Sequence, residues 1–534
     1  MTRLGLDAGD GASLPSESST ASFWHQAAQD SGLLGHRTTA ALPTRANVVV
    51  VGSGIAGAFV AREVLELVGE KAGVVMLEAR EACWGATGRV SLDAFTSHAY
   101  HDYHDYQDYF PPLSYRAAYR WLQNAGRCQP DIWNNGATPH IARFELATYS
   151  MLSELVRREA IDCSWQEVGD AHVLLSDDEA VAAREKVARL PGELRALVKL
   201  EWRGDGERQG ESSRIRGEAV GVVVQEHGAR CWPYKLVAWV LRRMLQGGET
   251  RFNLQTGTPV TRLVRVSRRE EARGGQGDDE ARWMVHTPRG QVAARHVVLA
   301  TNAYTSHLLP QMSRLIVPVR GQVCALRPPR RAVLLPHDYT WLSHGADDYL
   351  IQRAADQEGN NDDDAGANEA GGFIIVGGER FVVAGGQEGI SADDVVEPRI
   401  GAALRTAVPQ VLELQEAGEA RASRLEAAWE WTGIMGYSRD ARPWVGRVPG
   451  QLVRGGGEAE HQEAHDDDDD GLWICAGFTG HGMPVAPGCG VAVARMLVGK
   501  AGDGVSLPPE YVACAERLGV AAARAELPRG AWDC

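Results

Sequence analysis

Ala46-Asn47-Val48-Val49-Val50-Val51-Gly52-Ser53-Gly54-Ile55-Ala56-Gly57 is the stretch that decides the fold. Its β-branched run reads as a parallel strand buried on both faces. Glycines spaced G-x-G-x-x-G follow, then Ala58–Val68 at helical spacing, then a second strand at Gly73–Leu77. Strand, turn, helix and strand in that order make a βαβ unit opening a doubly wound α/β domain. Gly52 permits the tight turn, Gly54 lets backbone approach a diphosphate, and Gly57 lets the helix pack against the strand. The helix N-terminus presents free N–H groups and a positive dipole end, so Ser53, Ile55 and Ala56 join the glycines as expected anion-binding residues. Glu78 ends the second strand, 21 residues past Gly57, where a carboxylate accepts from ribose hydroxyls and disfavours a 2′-phosphate. FAD or NAD is expected rather than NADP; a glycine-rich turn in an unrelated α/β protein is the bland rival.

Outward from this unit, 534 residues suffice for two or more lobes with real cores. The net charge of -15 argues against nucleic acid and anionic membranes as partners. No basic end followed by an apolar run and no apolar stretch near ~18 residues is present, so a cytoplasmic location is expected. Nine cysteines are dispersed without a C-x-x-C pair and read as reduced thiols. Lysine occurs only at positions 71, 186, 199, 235 and 500. Residues 1–45 read as an arm docked through Trp24. Helices are expected at Pro139–Ala160 (with Thr138 as cap), Asp177–Leu190, Pro233–Gly247 and Val485–Val498. Ala171–Ser176, Ala219–Gln225, Arg295–Ala300 and Leu472–Ala476 read as strands. Gly321–Leu326, Asp348–Arg353, Gly372–Gly377 and Arg380–Val383 read as antiparallel strands of a second sheet. Segments 203–216, 269–281, 355–371 and 454–470 read as solvated loops, including the acidic run Asp466–Asp470.

The continuation after the second strand narrows the cofactor. Glu78-Ala79-Arg80 and Trp84-Gly85-Ala86-Thr87-Gly88-Arg89 resemble the second phosphate-contacting stretch of the D-amino-acid-oxidase-like FAD-dependent oxidoreductases. That family includes glycine and sarcosine oxidases and γ-glutamylputrescine oxidases. Three more segments resemble it: Val298-Leu299-Ala300-Thr301-Asn302-Ala303, Pro318-Val319-Arg320-Gly321-Gln322, and Gly477-Phe478-Thr479-Gly480-His481-Gly482-Met483. The resemblance implies that Ala79, Arg80, Ala86, Thr87, Gly88 and Arg89, with Val260, Ala300 and Thr301, contact FAD. It implies that Gly477, Gly480, His481, Gly482 and Met483 lie against the flavin, where N–H groups and a helix dipole favour negative charge.

One departure stands out. In relatives Asn-Gly-Gly follows Gly-Arg directly; here Val90–Gln123 intervenes before Asn124-Ala125-Gly126-Arg127-Cys128-Gln129-Pro130. Every Val codon begins GT and a Gln codon can be CAG, so the borders fit an intron translated in frame; a genuine lobe over the flavin site is the alternative. His98, His101 and His104 inside it are the weak metal reading, and no metal site is expected.

The resemblance implies hydride transfer to the flavin from the carbon bearing a neutral amine, with Tyr349, Arg353 and Arg320 as candidate substrate-facing residues. An Arg fork suits a carboxylate, while an ordinary inter-strand pair is the rival for each. Sarcosine-oxidase relatives carry a flavin-linking Cys where Gly433 stands, so FAD is expected to be non-covalent. Their oxygen-activating Lys falls on the strand matched to Phe373–Val376, which has none, so the acceptor is O2 or another oxidant. The expected architecture is α/β: a discontinuous Rossmann-like FAD domain (46–150, 228–306, 426–500) and an antiparallel-sheet substrate domain (151–227, 307–425), with arm 1–45 and tail 501–534. Small amines or amino acids are the expected substrates. A catalytically impaired or FAD-deficient product of the 90–123 insert, and a nicotinamide-dependent dehydrogenase, are the alternatives.

Overall fold

A computed structural model describes residues 11–69, 73–89, 127–128, 132, 138–202, 214–216, 219–266, 281–344, 346–354, 371–415, 421–453, 471–502, 506–524 and 527. The Val90–Gln123 insert, its three histidines and Asp466–Asp470 lie outside these residues.

Arg45–Val51 buries Val48 to Val51 almost completely and sits at the centre of an eight-stranded sheet. Val74–Leu77 pairs parallel to it on one side and Gly290–Leu299 on the other. Phe252–Gln255 and Leu472–Ala476 extend this parallel core outward in the two directions. Three adjacent parallel strands therefore deliver their C-terminal ends, Val51, Leu299 and Ala476, to one edge of the sheet, the edge where doubly wound folds bind ligands. The helices that follow the first and last of them, Ile55–Val68 and Ala486–Leu497, pack through small residues. A Cβ on Gly490 would stand 2.8 Å from the Ala56 carbonyl oxygen, so only glycine allows that approach.

The second sheet also has eight strands, ordered Ala427–Ser438, Ile316–Leu326, Gly371–Gly377, Ala346–Ala354, Asp338–Ser343, Asp170–Leu174, Gly221–Gln225 and Val198–Trp202. All its pairings are antiparallel except that of Asp338–Ser343 with Asp170–Leu174. The α/β architecture with one largely parallel and one largely antiparallel sheet is thus present. Two readings need correction. Residues 380–383 form no strand: Gly378 (φ 133°) and left-handed Glu379 (φ 54°) end Gly371–Gly377, and Arg380–Val382 closes as a 3-10 turn. The segment 426–500 does not lie wholly with the parallel sheet, because Ala427–Ser438 pairs with Ile316–Leu326 along its length and only Trp444–Arg447 returns to the first sheet. Helix Pro139–Arg158 begins beside Thr138, whose side chain makes no capping bond. Cys83, Cys163, Cys324, Cys475, Cys489 and Cys514 are free thiols, and no described helix is long and apolar enough to cross a membrane.

Helix Asp177–Arg189 shows local chemistry with a pH consequence. Ser176 accepts from the Glu179 N–H at 3.3 Å, and the Glu179 carboxylate accepts from the Leu175 N–H at 2.7 Å, a near-reciprocal cap. Burial pushes the Glu179 carboxyl up to about 7. Its folded value lies above the unfolded value of about 4.3, so its contribution is complete in acid and is lost as pH rises through 7. Glu179→Gln is therefore expected to gain in melting temperature on the native chain at pH 8 but not at pH 5.

Candidate cofactor site

The first turn is built by close approach. Gly52 holds a φ of 106°, and a Cβ there would lie 2.5 Å from the Ala300 carbonyl oxygen. A Cβ on Gly57 would lie 2.1 Å from the Gly52 oxygen and 3.2 Å from Val50 Cγ1. Helix Ile55–Val68 starts at Gly54, and its Ile55 N–H donates to Thr87 Oγ1 at 3.1 Å. Glu78 is held firmly: its Oε2 accepts from the Ser53 N–H (2.9 Å) and hydroxyl (2.6 Å), and its Oε1 from the Arg80 N–H (3.0 Å).

The second turn, after Leu472–Ala476, is anchored by Asn302. Its Oδ1 accepts from the N–H groups of Gly477 (3.0 Å) and Phe478 (3.2 Å), so those two donors are already engaged within the protein. Thr479 takes a left-handed φ of 51°; its N–H donates to the Gly436 carbonyl, and its Oγ1 accepts from the Ser438 N–H. Helix Ala486–Leu497 starts just beyond, with the Ala486 N–H donating to the Gly482 carbonyl at 2.7 Å.

Both turns border a single cleft, whose empty space, counted out to its solvent-open mouth, is about 1280 Å³. Of the residues assigned from sequence, Gly52, Ser53, Gly54, Ile55, Ala56, Glu78, Ala79, Arg80, Ala86, Thr87, Val260, Ala300, Thr301, Gly480, Gly482 and Met483 border it. Gly57, Gly88, Arg89, Gly477 and His481 do not. Gly57 and Gly88 serve backbone packing instead; a Cβ on Gly88 would meet the Cys83 carbonyl oxygen at 2.0 Å. Arg89 is buried, paired to Asp393 at 3.2 Å and donating to the Trp84 and Thr432 carbonyls. Burial lowers its pKa to about 10. The His481 ring is engaged by buried Glu145, 3.1 Å away on helix Pro139–Arg158.

Tyr349, Arg353 and Arg320 do not border the cleft. Tyr349 is fully buried, its hydroxyl packed over Gly377 of the neighbouring strand. The Arg353 guanidinium lies over Trp232 (4.6 Å to the ring centroid) and Phe23 (5.4 Å). Arg320 Nε donates to Gln387 Oε1 at 2.8 Å. Sequence reasoning missed Leu14, Pro15, Tyr304, His307, Ile434 and Met435, all of which border the cleft. Tyr304 and His307 directly follow the Ala300–Ala303 segment, and Ile434 and Met435 directly follow Gly433, so adjacency was the available signal. Nothing in the low-complexity arm marks Leu14 and Pro15.

The cleft fits a dinucleotide. It pairs glycine backbone at a helix N-terminus with a fixed carboxylate, and its walls include Val51, Leu77, Val260 and Met483. Solved structures of similar fold include glycine oxidase from Geobacillus kaustophilus (16% identity, TM-score 0.55, covering 86% of this chain and 95% of that one). L-proline dehydrogenase from P. horikoshii is similar at 17% identity and TM-score 0.55, covering 88% and 98%. Iminodiacetate oxidase from Chelativorans sp. BNC1 is similar at 16% identity and TM-score 0.54, covering 88% and 99%. No curated protein matches the sequence. The family model described as FAD dependent oxidoreductase matches residues 47–496, most of the chain. With the Gly52 turn, Glu78 and the Gly480 turn on one cleft, that match is decisive: the chain belongs to the FAD dependent oxidoreductase family.

Proposed function

We propose that this FAD-dependent oxidoreductase oxidises a small amine or amino acid to an imine, which water then hydrolyses. The observation that carries the reading is the single cleft bordered by both the Gly52 and Gly480 turns, as one dinucleotide touching both would require. The similar structures are named for glycine, L-proline and iminodiacetate, all small amino acids or amines. FAD when bound supplies a hydride acceptor for the carbon bearing the amine. The chain's own residues bind and orient it: Glu78 is placed to accept from ribose hydroxyls, and the N-terminus of helix Ile55–Val68 to hold the diphosphate. Asn302 fixes the backbone of the 477–483 turn against the flavin end.

Binding is non-covalent in this reading. Among the described residues no cysteine borders the cleft, and Gly433 stands beside the bordering residues Ile434 and Met435. Acid precipitation of the yellow protein should release all flavin into the supernatant; flavin retained in the pellet would refute this. The substrate class is tested by mixing the oxidised protein anaerobically with a panel of small amines and amino acids. Bleaching of the flavin band by at least one member is expected. A yellow protein that no amine reduces, in the presence or absence of NAD(H), would overturn the proposal.

A further inference from the structure

Before the first strand, the arm runs without regular secondary structure from Gly11 to Ser22, yet it is tied down at two places. On one side the Ala12 N–H donates to Ser306 Oγ (2.9 Å), and the Ser13 hydroxyl meets that of Ser391 (2.8 Å). On the other side stands a buried charge cluster. Arg80 donates to both oxygens of Asp393 (3.0 and 2.9 Å), and Arg89 pairs with the same carboxylate. The arm lies on this cluster: Arg89 donates to the Thr20 carbonyl (2.7 Å) and to Ser19 Oγ, and the Thr20 N–H donates to the Asp393 carbonyl (2.9 Å). Arg80 itself borders the cofactor cleft.

Between the two anchors lie Leu14 and Pro15, both half-buried and both bordering the cleft. A leucine and a proline held over a cofactor cleft by polar bonds on either side present apolar surface that the protein alone covers only in part. The ligand is the partner that would complete its burial.

We propose that residues 12–20 are part of the cofactor site, a strap whose Leu14–Pro15 segment closes over bound FAD and whose Arg80–Asp393–Arg89 latch must open before the cofactor exchanges. The inference rests on the FAD reading. It assigns Asp393, far from the glycine motif in sequence, a role in retaining the cofactor: the latch joins a cleft arginine, the second lobe and the arm at one carboxylate. Arg80 and Arg89 accordingly act by holding the strap.

The experiment follows flavin fluorescence after rapid dilution of the full-length, FAD-loaded protein. Three chains are compared: native, the Leu14→Gly/Pro15→Gly double variant, and Asp393→Asn. At least tenfold faster release is expected in the double variant, with the melting temperature of the flavin-free protein unchanged. Asp393→Asn should also release faster; because it disturbs buried charge, its release is compared only if its flavin-free melting temperature stays within a few degrees of native, the double variant otherwise deciding alone. Native and double-variant proteins that bind FAD and release it at the same rate would overturn the strap and leave the FAD reading standing. A native protein that binds no FAD would overturn the FAD reading itself.

Discussion

Gly57→Ala should yield a protein that purifies without flavin colour, with FAD affinity lowered at least 100-fold. The added methyl would sit 2.1 Å from the Gly52 carbonyl oxygen, which is backbone and cannot rotate away. Either the helix must lift from the strand or the Gly52 peptide must turn. Gly52 in turn is only 2.5 Å from the Ala300 oxygen when measured from its own would-be Cβ, so the turn has no slack on its far side either. Overpacking of this kind costs about 1–3 kcal/mol, and a tenfold change in affinity corresponds to about 1.4 kcal/mol. A displaced diphosphate cradle loses several of its N–H contacts together, hence the larger loss. Gly450→Ala, where an added Cβ meets nothing within 4 Å, is the control and should retain full affinity. Fluorescence titration of the apoproteins checks both. Native affinity in Gly57→Ala would mean that this turn is not the diphosphate cradle.

The legibility of this site in the sequence follows the range of the interactions that make it. The Gly52 turn, Glu78 and the 477–483 turn were readable because each is a local backbone solution, with its glycines, its strand and its helix inside about two dozen residues. Arg89 belongs to a recognisable motif, but its burial on Asp393, some 300 positions away, is a tertiary fact that no local pattern carries. Arg353 illustrates the same limit. Alternation along a strand marks it as a side chain of the second sheet; that Phe23 of the arm and Trp232 would cover its guanidinium depends on how three separate segments meet. Segment 426–500 was assigned as one block to the FAD domain, whereas the pairing of Ala427–Ser438 with Ile316–Leu326 is set by long-range register that no local pattern carries. Leu14 and Pro15 lie in a segment without period or motif, and only the cleft reveals them.

Arg517→Ala is expected to be among the most destabilising single changes in the chain, through a residue that sequence reading left in an unassigned tail. Its guanidinium donates to both Asp440 oxygens (2.6 and 2.9 Å) and to the carbonyls of Arg442 (2.6 Å), Pro443 (2.8 Å) and Tyr511 (3.1 Å). It also lies over the Trp444 ring, 4.1 Å from the centroid. Asp440 in turn accepts from Ser438 Oγ at 2.7 Å, and the Ser438 N–H donates to Thr479 of the 477–483 turn. Burial works to raise the Asp440 carboxyl, yet Arg517 and its hydrogen bonds hold it below the ordinary carboxylate value. A depressed folded value contributes stability above the unfolded pKa of about 3.9, lost only as pH falls through the folded value. Without Arg517 the sign reverses: burial then dominates, the lone carboxylate is penalised, and stability falls as pH rises. Removing one partner of a buried pair costs about 3–5 kcal/mol, so the deficit of Arg517→Ala in urea midpoint should be large at pH 7 and clearly smaller at pH 4.5. Arg517→Lys, which keeps the charge but not the fork, should fall between. A deficit equal at both pH values would show that the residue acts through its carbonyl hydrogen bonds and its packing on Trp444 rather than through the Asp440 charge, and would remove Asp440 from the account of what holds the Thr479 turn in place.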